Sequence, residues 1–268
     1  SNLFRAFFHN VTLGLFGHAP NGVPRRVAKW YRQLWRYSCS FALVADTTAV
    51  FLGGLLKKKQ KIGGRLADVL SELYFLSCAL KRYEDDGFPA DDRCIVHLCM
   101  VNGLYRLQHA LAGVVQNFPS AFIKLLLIVF TSPFGARRTP ATDILSHQVA
   151  GLMLKPGEVR DRLTRYIYVS NDADDPAGLL EIAFRKHTDA EAALKKLDQA
   201  VRSNLIQRYL GIDWVGEAER KGALTKEETS AVREAEELAE RIIAVDHFDP
   251  NDITSRVSQP KQQSHIYA

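Results

Sequence analysis

Apolar side chains recur along most of this chain at steps of three and four, the period of a helix with one face against a core. Val27, Tyr31, Leu34, Ser38, Phe41, Ala45, Thr48, Leu52 and Leu55 mark one stripe, with Lys29, Arg32 and Arg36 off it. Gly53-Gly54 weakens the end of this predicted helix, and Lys57-Lys58-Lys59 suits the negative end of its dipole. A second stripe reads Leu66, Leu70, Leu73, Ser77 and Leu80 and ends near Gly87-Phe88-Pro89. A third begins after Asp91-Asp92, runs through Ile95, Leu98, Asn102, Leu107, Leu111 and Val114, and stops before Pro119. Three long amphipathic helices joined by short turns predict neighbours in an antiparallel bundle. No period-two alternation is long enough to propose a sheet, so the expected class is all-α.

Beyond Ser120 the predicted elements shorten. Ala121–Phe130 reads as a compact apolar helix and Thr139–Leu154 as a weaker one. Asp175-Pro176 supplies a cap followed by proline at the first helical position, starting a helix that runs to about His187. Thr188 to Glu191 and Thr225 to Glu228 both match the capping-box pattern, and the second opens a helix over Lys226–Ala244. From Asp249 the chain is rich in Gln, Ser, Pro and Lys, the composition of a disordered tail. The expected organisation is an apolar opening segment over 1–20, a helical bundle over 21–138, a smaller helical subdomain over 139–248, and a tail over 249–268. The longest apolar runs, Phe41–Leu56 and Ala121–Phe130, are broken by Asp46 and Lys124 and fall short of the roughly 20 residues that cross hydrocarbon.

The net charge of +5 is unevenly spread: residues 1–150 carry 18 Lys and Arg against 9 Asp and Glu, and the remainder carries 17 against 21. A basic first half suits an anionic partner such as a phospholipid headgroup, a CoA phosphate or nucleic acid; a solvated basic surface without a partner fits equally. No nucleic-acid reading motif accompanies those charges, so nucleic acid is not an expected partner. Four cysteines, Cys39, Cys78, Cys94 and Cys99, are too few for a disulfide framework in 268 residues and read as reduced thiols in a core, which implies an intracellular address. The opening Ser1-Asn2-Leu3-Phe4, without methionine or signal pattern, reads as an interior piece of a longer polypeptide.

A glycine-rich phosphate loop, a G-x-S-x-G elbow and an H-E-x-x-H pair are all absent from the sequence. Cys94, His97 and Cys99 are the one metal-like cluster, but they lack the second ligand pair a zinc site needs, so no metal is expected. The paired acids at Asp85-Asp86 and Asp172 to Asp175 sit among turn residues and read as solvated acids flanking helices. The opening segment is more suggestive. Leu3, Phe4, Phe7, Phe8, Val11, Leu13, Leu15 and Phe16 crowd together, more large apolar groups than a solvated surface leaves uncovered. They pack on another part of the protein or lie in a membrane interface, where Arg25, Arg26, Lys29, Arg32 and Arg36 would meet phosphates and Trp30, Tyr31, Trp35 and Tyr37 would suit the headgroup zone. The contact residues expected on either reading are Leu3, Phe4, Phe7, Phe8, Val11, Leu15, Phe16, Trp30 and Trp35.

Arg65-Leu66-Ala67-Asp68-Val69-Leu70-Ser71-Glu72-Leu73-Tyr74 is followed by Leu80-Lys81-Arg82-Tyr83-Glu84-Asp85-Asp86-Gly87. With Gln116-Asn117-Phe118-Pro119, Pro176-Ala177-Gly178-Leu179-Leu180-Glu181 and Asp246-His247-Phe248-Asp249-Pro250, this series resembles the C-terminal extension of the large bacterial fatty acyl-CoA dehydrogenases. The first long helices are also similar, more faintly, to the extra helical domain of very-long-chain acyl-CoA dehydrogenases, which associates with membranes. The resemblance implies a FAD-dependent parent that oxidises medium- or long-chain acyl-CoA to the trans-2-enoyl-CoA, the first step of β-oxidation. It also implies that the flavin contacts and the catalytic glutamate lie upstream, so this segment carries no catalytic or cofactor-binding residue and is inactive alone. The implied partners are the remainder of the polypeptide, the acyl-CoA substrate, an anionic membrane touched peripherally, and further copies in a homo-oligomer. The implied location is cytoplasmic, on the inner face of the bacterial inner membrane. The competing class is a free-standing, non-catalytic helical adaptor that binds a partner through Leu3–Phe16.

Overall fold

A computed structural model describes residues 2–170, 172–209 and 211–244. The expected tail over 249–268 and the Asp246–Pro250 motif lie outside the described residues. Eleven α-helices and no strand occur among those described, so the fold is all-α. The chain divides into two compact units, Ser1–Leu154 and Lys155–Ala268.

In the first unit, α1 (Asn2–Val11) precedes three long helices, α2 (Arg25–Leu52), α3 (Gln60–Asp85) and α4 (Arg93–Gln116), and two short ones, α5 (Ala121–Thr131) and α6 (Asp143–Met153). The long helices are antiparallel in sequence order, as Tyr31 on α2 donates to Glu84 near the end of α3, and Arg106 on α4 pairs with Glu72 of α3. The α3–α4 pair is tight because Gly103 offers no side chain. A Cβ there would lie 2.5 Å from a methyl of Leu76, which is itself buried. Leu73, Leu76, Leu80, Met100, Leu104, Leu107, Leu111 and Val114 fill the core with Leu34, Tyr37 and Val44 of α2.

Several details depart from the sequence reading. Leu70 is exposed, and the α3 stripe runs through Val69, Leu73, Leu76, Leu80 and Tyr83 instead. Arg36, expected off the α2 stripe, is only 9% exposed. The reason is that α2 packs on two sides, against α3 and α4 on one and beneath α1 and α5 on the other. Helix α2 is nonetheless buried over only a third of its most apolar stretch. With the 3-10 turn at Gly53–Lys57 it is long and apolar enough to cross a membrane by length and composition, which the uninterrupted runs did not suggest. Of the four free cysteines only Cys39 is buried; Cys78 and Cys99 are exposed because they sit outside the contact faces of α3 and α4. The boundary expected near Thr139 also differs from the division at Leu154, because α6 packs on α4, with Ala141 N–H donating to the Asn102 side chain just ahead of it.

The second unit contains α7 (Glu158–Thr164), α8 (Pro176–Asp189), α9 (Glu191–Arg202), α10 (Trp214–Arg220) and α11 (Lys226–Ile243). Its core is small: Ala193, Leu197, Ala200, Ile206, Val215, Ala218, Leu224 and Val232. Thr225 caps α11 through the expected reciprocal pair with Glu228. The other capping box does not form. Helix α8 runs on through Thr188, whose hydroxyl donates to Phe184 C=O, and Ala190 joins α8 to α9. Pro176 occupies the first turn of α8 as expected, but the Asp175 side chain makes no cap bond. Glu181 on α8 accepts from both Nη atoms of Arg160 at 3.1 and 2.6 Å, and the Arg160 guanidinium holds its carboxyl below the ordinary glutamate range.

Candidate functional site

Helix α1 is built with its polar side inward. Ala6 is fully buried, His9 and Asn10 nearly or wholly so, while the large apolar residues between them face out. Spacings of three and four place Ala6, His9 and Asn10 on one face, and the small Ala6 lets that face sit close against α2. Asn10 ties three helices together. Its amide donates to Ala6 C=O at 2.8 Å, Ser40 Oγ at 2.7 Å and Phe130 C=O at 3.1 Å, and its Oδ1 accepts from Arg36 Nε at 2.8 Å. His9 Nε2 accepts from the Trp35 indole at 3.0 Å. The ring is therefore neutral, with its proton on Nδ1, which is buried without a hydrogen-bond partner. Burial, and then the charge of Arg5, holds its pKa below the ordinary histidine value. At the ends of the segment Asn2 donates to Asp46, and Gln33 donates to Leu13 C=O. A tight turn follows, with Leu13 and Gly14 at positive φ and Gly17 against the Arg32 carbonyl, where a Cβ would come within 2.9 Å.

These anchors leave Leu3, Phe4, Phe7, Phe8, Val11, Leu15 and Phe16 on the surface, Phe4 at 67% and Phe16 at 69% exposure. They form a contiguous patch: Phe4 stacks on Phe8, and Phe8 lies 5.7 Å from Phe16 between ring centroids. Phe7 meets Phe130 of α5 edge to face at 5.4 Å, so the patch continues onto α5, where Phe122, Leu125, Leu126, Ile128 and Val129 are exposed. The contribution of α5 is not evident from sequence. An eleven-residue helix with one lysine reads as buried all round, yet only Ile123, Leu127 and Thr131 are buried. Two of the expected contact residues lie elsewhere. Trp35 sits under α1, against His9 and Arg5, and Trp30 packs on His97 and Lys29.

Trp30 instead borders a basic cavity of about 410 Å³ between α2 and the segment joining α5 to α6, lined by Lys29, Arg36, Arg137 and Arg138 with Gln33 and Gln108. Arg138 spans this opening: its Nε donates to Tyr37 Oη at 2.9 Å, its Nη2 to Gln33, and its backbone N–H to Gln108. Its guanidinium and that of Arg36 each lie 5.3 Å from the Tyr37 ring centroid. This cluster was not legible in the sequence, because Arg36 and Arg138 lie far apart along the chain and meet only in the fold.

The cysteine–histidine cluster is dispersed as a ligand set. Cys94 lies near Asp91 C=O, His97 packs on Trp30, and no group of three potential ligands occurs among the described residues. Asp85 and Asp86 pair with Lys81 and Arg82 one turn earlier; Asp85 is solvated as expected, whereas the Asp86 side chain is largely buried beside Arg82. The described cavities measure about 410–580 Å³ and are lined by residues of the helices and of the segments that join them.

No solved structure matches this chain. Residues 1–248 match the family described as acyl-CoA dehydrogenase, C-terminal, bacterial type. The serial motifs, the all-α fold and a match spanning both units agree, and the chain belongs to that family of C-terminal acyl-CoA dehydrogenase domains.

Proposed function

We propose that this chain is the C-terminal module of a FAD-dependent dehydrogenase of medium- or long-chain fatty acyl-CoA, and that its α1–α5 face docks against the rest of that polypeptide. The observation that carries the docking reading is the polarity of α1. Four polar anchors fix the helix to α2 while its phenylalanines, and the adjacent apolar residues of α5, are held outward. Leaving so large a contiguous apolar surface in water is unfavourable by roughly 25 cal/mol per Å², so a fixed apolar occupant is the economical explanation. The chemistry belongs to the upstream part in this reading: acyl-CoA and flavin bind there, and this module contributes packing and subunit contacts.

Membrane contact is the second reading, favoured by the basic cavity and by Arg5, an exposed cation on α1 itself. The two readings separate by oxidative footprinting of Phe4, Phe8 and Phe122 in the protein isolated from its source, with and without phosphatidylglycerol vesicles. Protection of all three rings without lipid is the expected result. Protection that appears only with vesicles would replace docking by membrane contact, and rings that oxidise freely in both would overturn both and favour the adaptor class.

A further inference from the structure

Arg36 and Arg138 present an electrostatic imbalance that the fold alone does not relieve. Arg36 is nine-tenths buried, and its Nε donates to the neutral Asn10 Oδ1. Among the described residues Arg138 bonds neutral groups, Tyr37, Gln33 and Gln108. Lys29 and Arg137 join them around one opening, and among the described residues no carboxylate pairs with any of the four. Burial lowers the Arg36 pKa; Tyr37 opposes that shift and the Arg138 charge adds to it. Guanidiniums brought together in a partly desolvated cleft are costly unless an anion completes the site.

We infer that the cavity between α2 and the α5–α6 segment is a binding site for a phosphate group. Three guanidiniums and an ammonium match a doubly charged tetrahedral anion better than a single carboxylate, since the N–H groups not taken by Asn10, Tyr37 and Gln33 can donate to several oxygens at once. The volume of about 410 Å³ exceeds what one carboxylate fills and admits a phosphate with part of its ester. The remaining wall includes Leu13, Trp30 and Phe134, apolar surface suited to what the phosphate is attached to. Lys29 and Trp30 also line a neighbouring cavity of about 510 Å³ with Arg26 and Arg93, so basic surface continues past the first site. The phosphate is that of a soluble ester or of a lipid headgroup, two sources with one recognition chemistry.

The site is independent of what covers the α1–α5 face, and its test does not involve that face. The 268-residue chain is titrated calorimetrically with pyrophosphate and with inorganic phosphate at constant ionic strength, chloride serving as the reference anion. Lys29 and Arg137 are exposed, so K29Q/R137Q removes two of the four charges without disturbing the Arg36 and Arg138 contacts. The expected result is saturable binding of pyrophosphate, weakened at least about tenfold in K29Q/R137Q, two lost charge-assisted contacts. Sedimentation with phosphatidylglycerol vesicles then assigns the source. Retention abolished by K29Q/R137Q and by free pyrophosphate identifies a lipid headgroup; pyrophosphate binding without such retention identifies a soluble ester. Binding no stronger than chloride, or unchanged in K29Q/R137Q, overturns the inference.

Discussion

Replacing Asn10 by alanine removes three donated hydrogen bonds and strips the buried Arg36 Nε–H of its acceptor. An orphaned charged donor is expensive, so N10A should cost about 2–4 kcal/mol in urea unfolding, whereas F4S, on an exposed ring, should stay within about 0.5 kcal/mol. His9 adds a pH dependence. Its folded pKa lies below the ordinary value, so the unfolded chain binds more protons in that interval. Stability is then complete above about pH 6.5 and drains as the pH falls below it. The urea midpoint of the wild-type chain should therefore fall between about pH 7.5 and about pH 5.5 more than that of H9Q, whose amide oxygen can still accept from Trp35. His97, also lowered, is common to both and cancels in the comparison. Gly178 makes a third case. A Cβ there would lie 2.1 Å from the Asp172 carbonyl, a backbone atom that cannot rotate away, so G178A should destabilise the second unit by about 2 kcal/mol or more in thermal unfolding. The exposed phenylalanines of α1 were recognisable in the sequence as a concentration of apolar residues. Asn10 was not, since a lone asparagine in an aromatic helix carries no sign that three helices converge on it.

At the scale of elements, periodicity located α2, α3 and α4 and their antiparallel order, because each has one face long enough to repeat several times. It misplaced faces where a helix is buried on two sides, as Arg36 on α2 shows, and where an all-apolar helix lies at the surface, as α5 does. The capping-box pattern was right at Thr225, where a turn separates two helices, and wrong at Thr188, where the chain continues helically. Thr225 and Thr188 give the comparison a measurable form. T225A removes the hydroxyl that accepts from Glu228 N–H and should cost about 1 kcal/mol; T188A removes only a bond back to Phe184 and should cost less than about 0.5 kcal/mol. Equal losses from the two substitutions, measured by urea unfolding, would show that α8 ends before Thr188 after all.

Across the whole chain, the serial motifs reached further than any local pattern, since they run from α3 into α8 and agree with a family match over residues 1–248. The charge asymmetry was likewise visible in composition, while the cavity that gathers Lys29, Arg36, Arg137 and Arg138 arises only when the segment after α5 folds back over α2. What the module does depends on the protein it closes, so the decisive measurement is the intact mass and visible spectrum of the native protein, captured with an antibody raised against this segment. The account predicts a yellow protein with flavin absorbance and a mass well above the 30.1 kDa of this chain. A colourless species near 30.1 kDa would contradict it and leave a free-standing helical adaptor in its place.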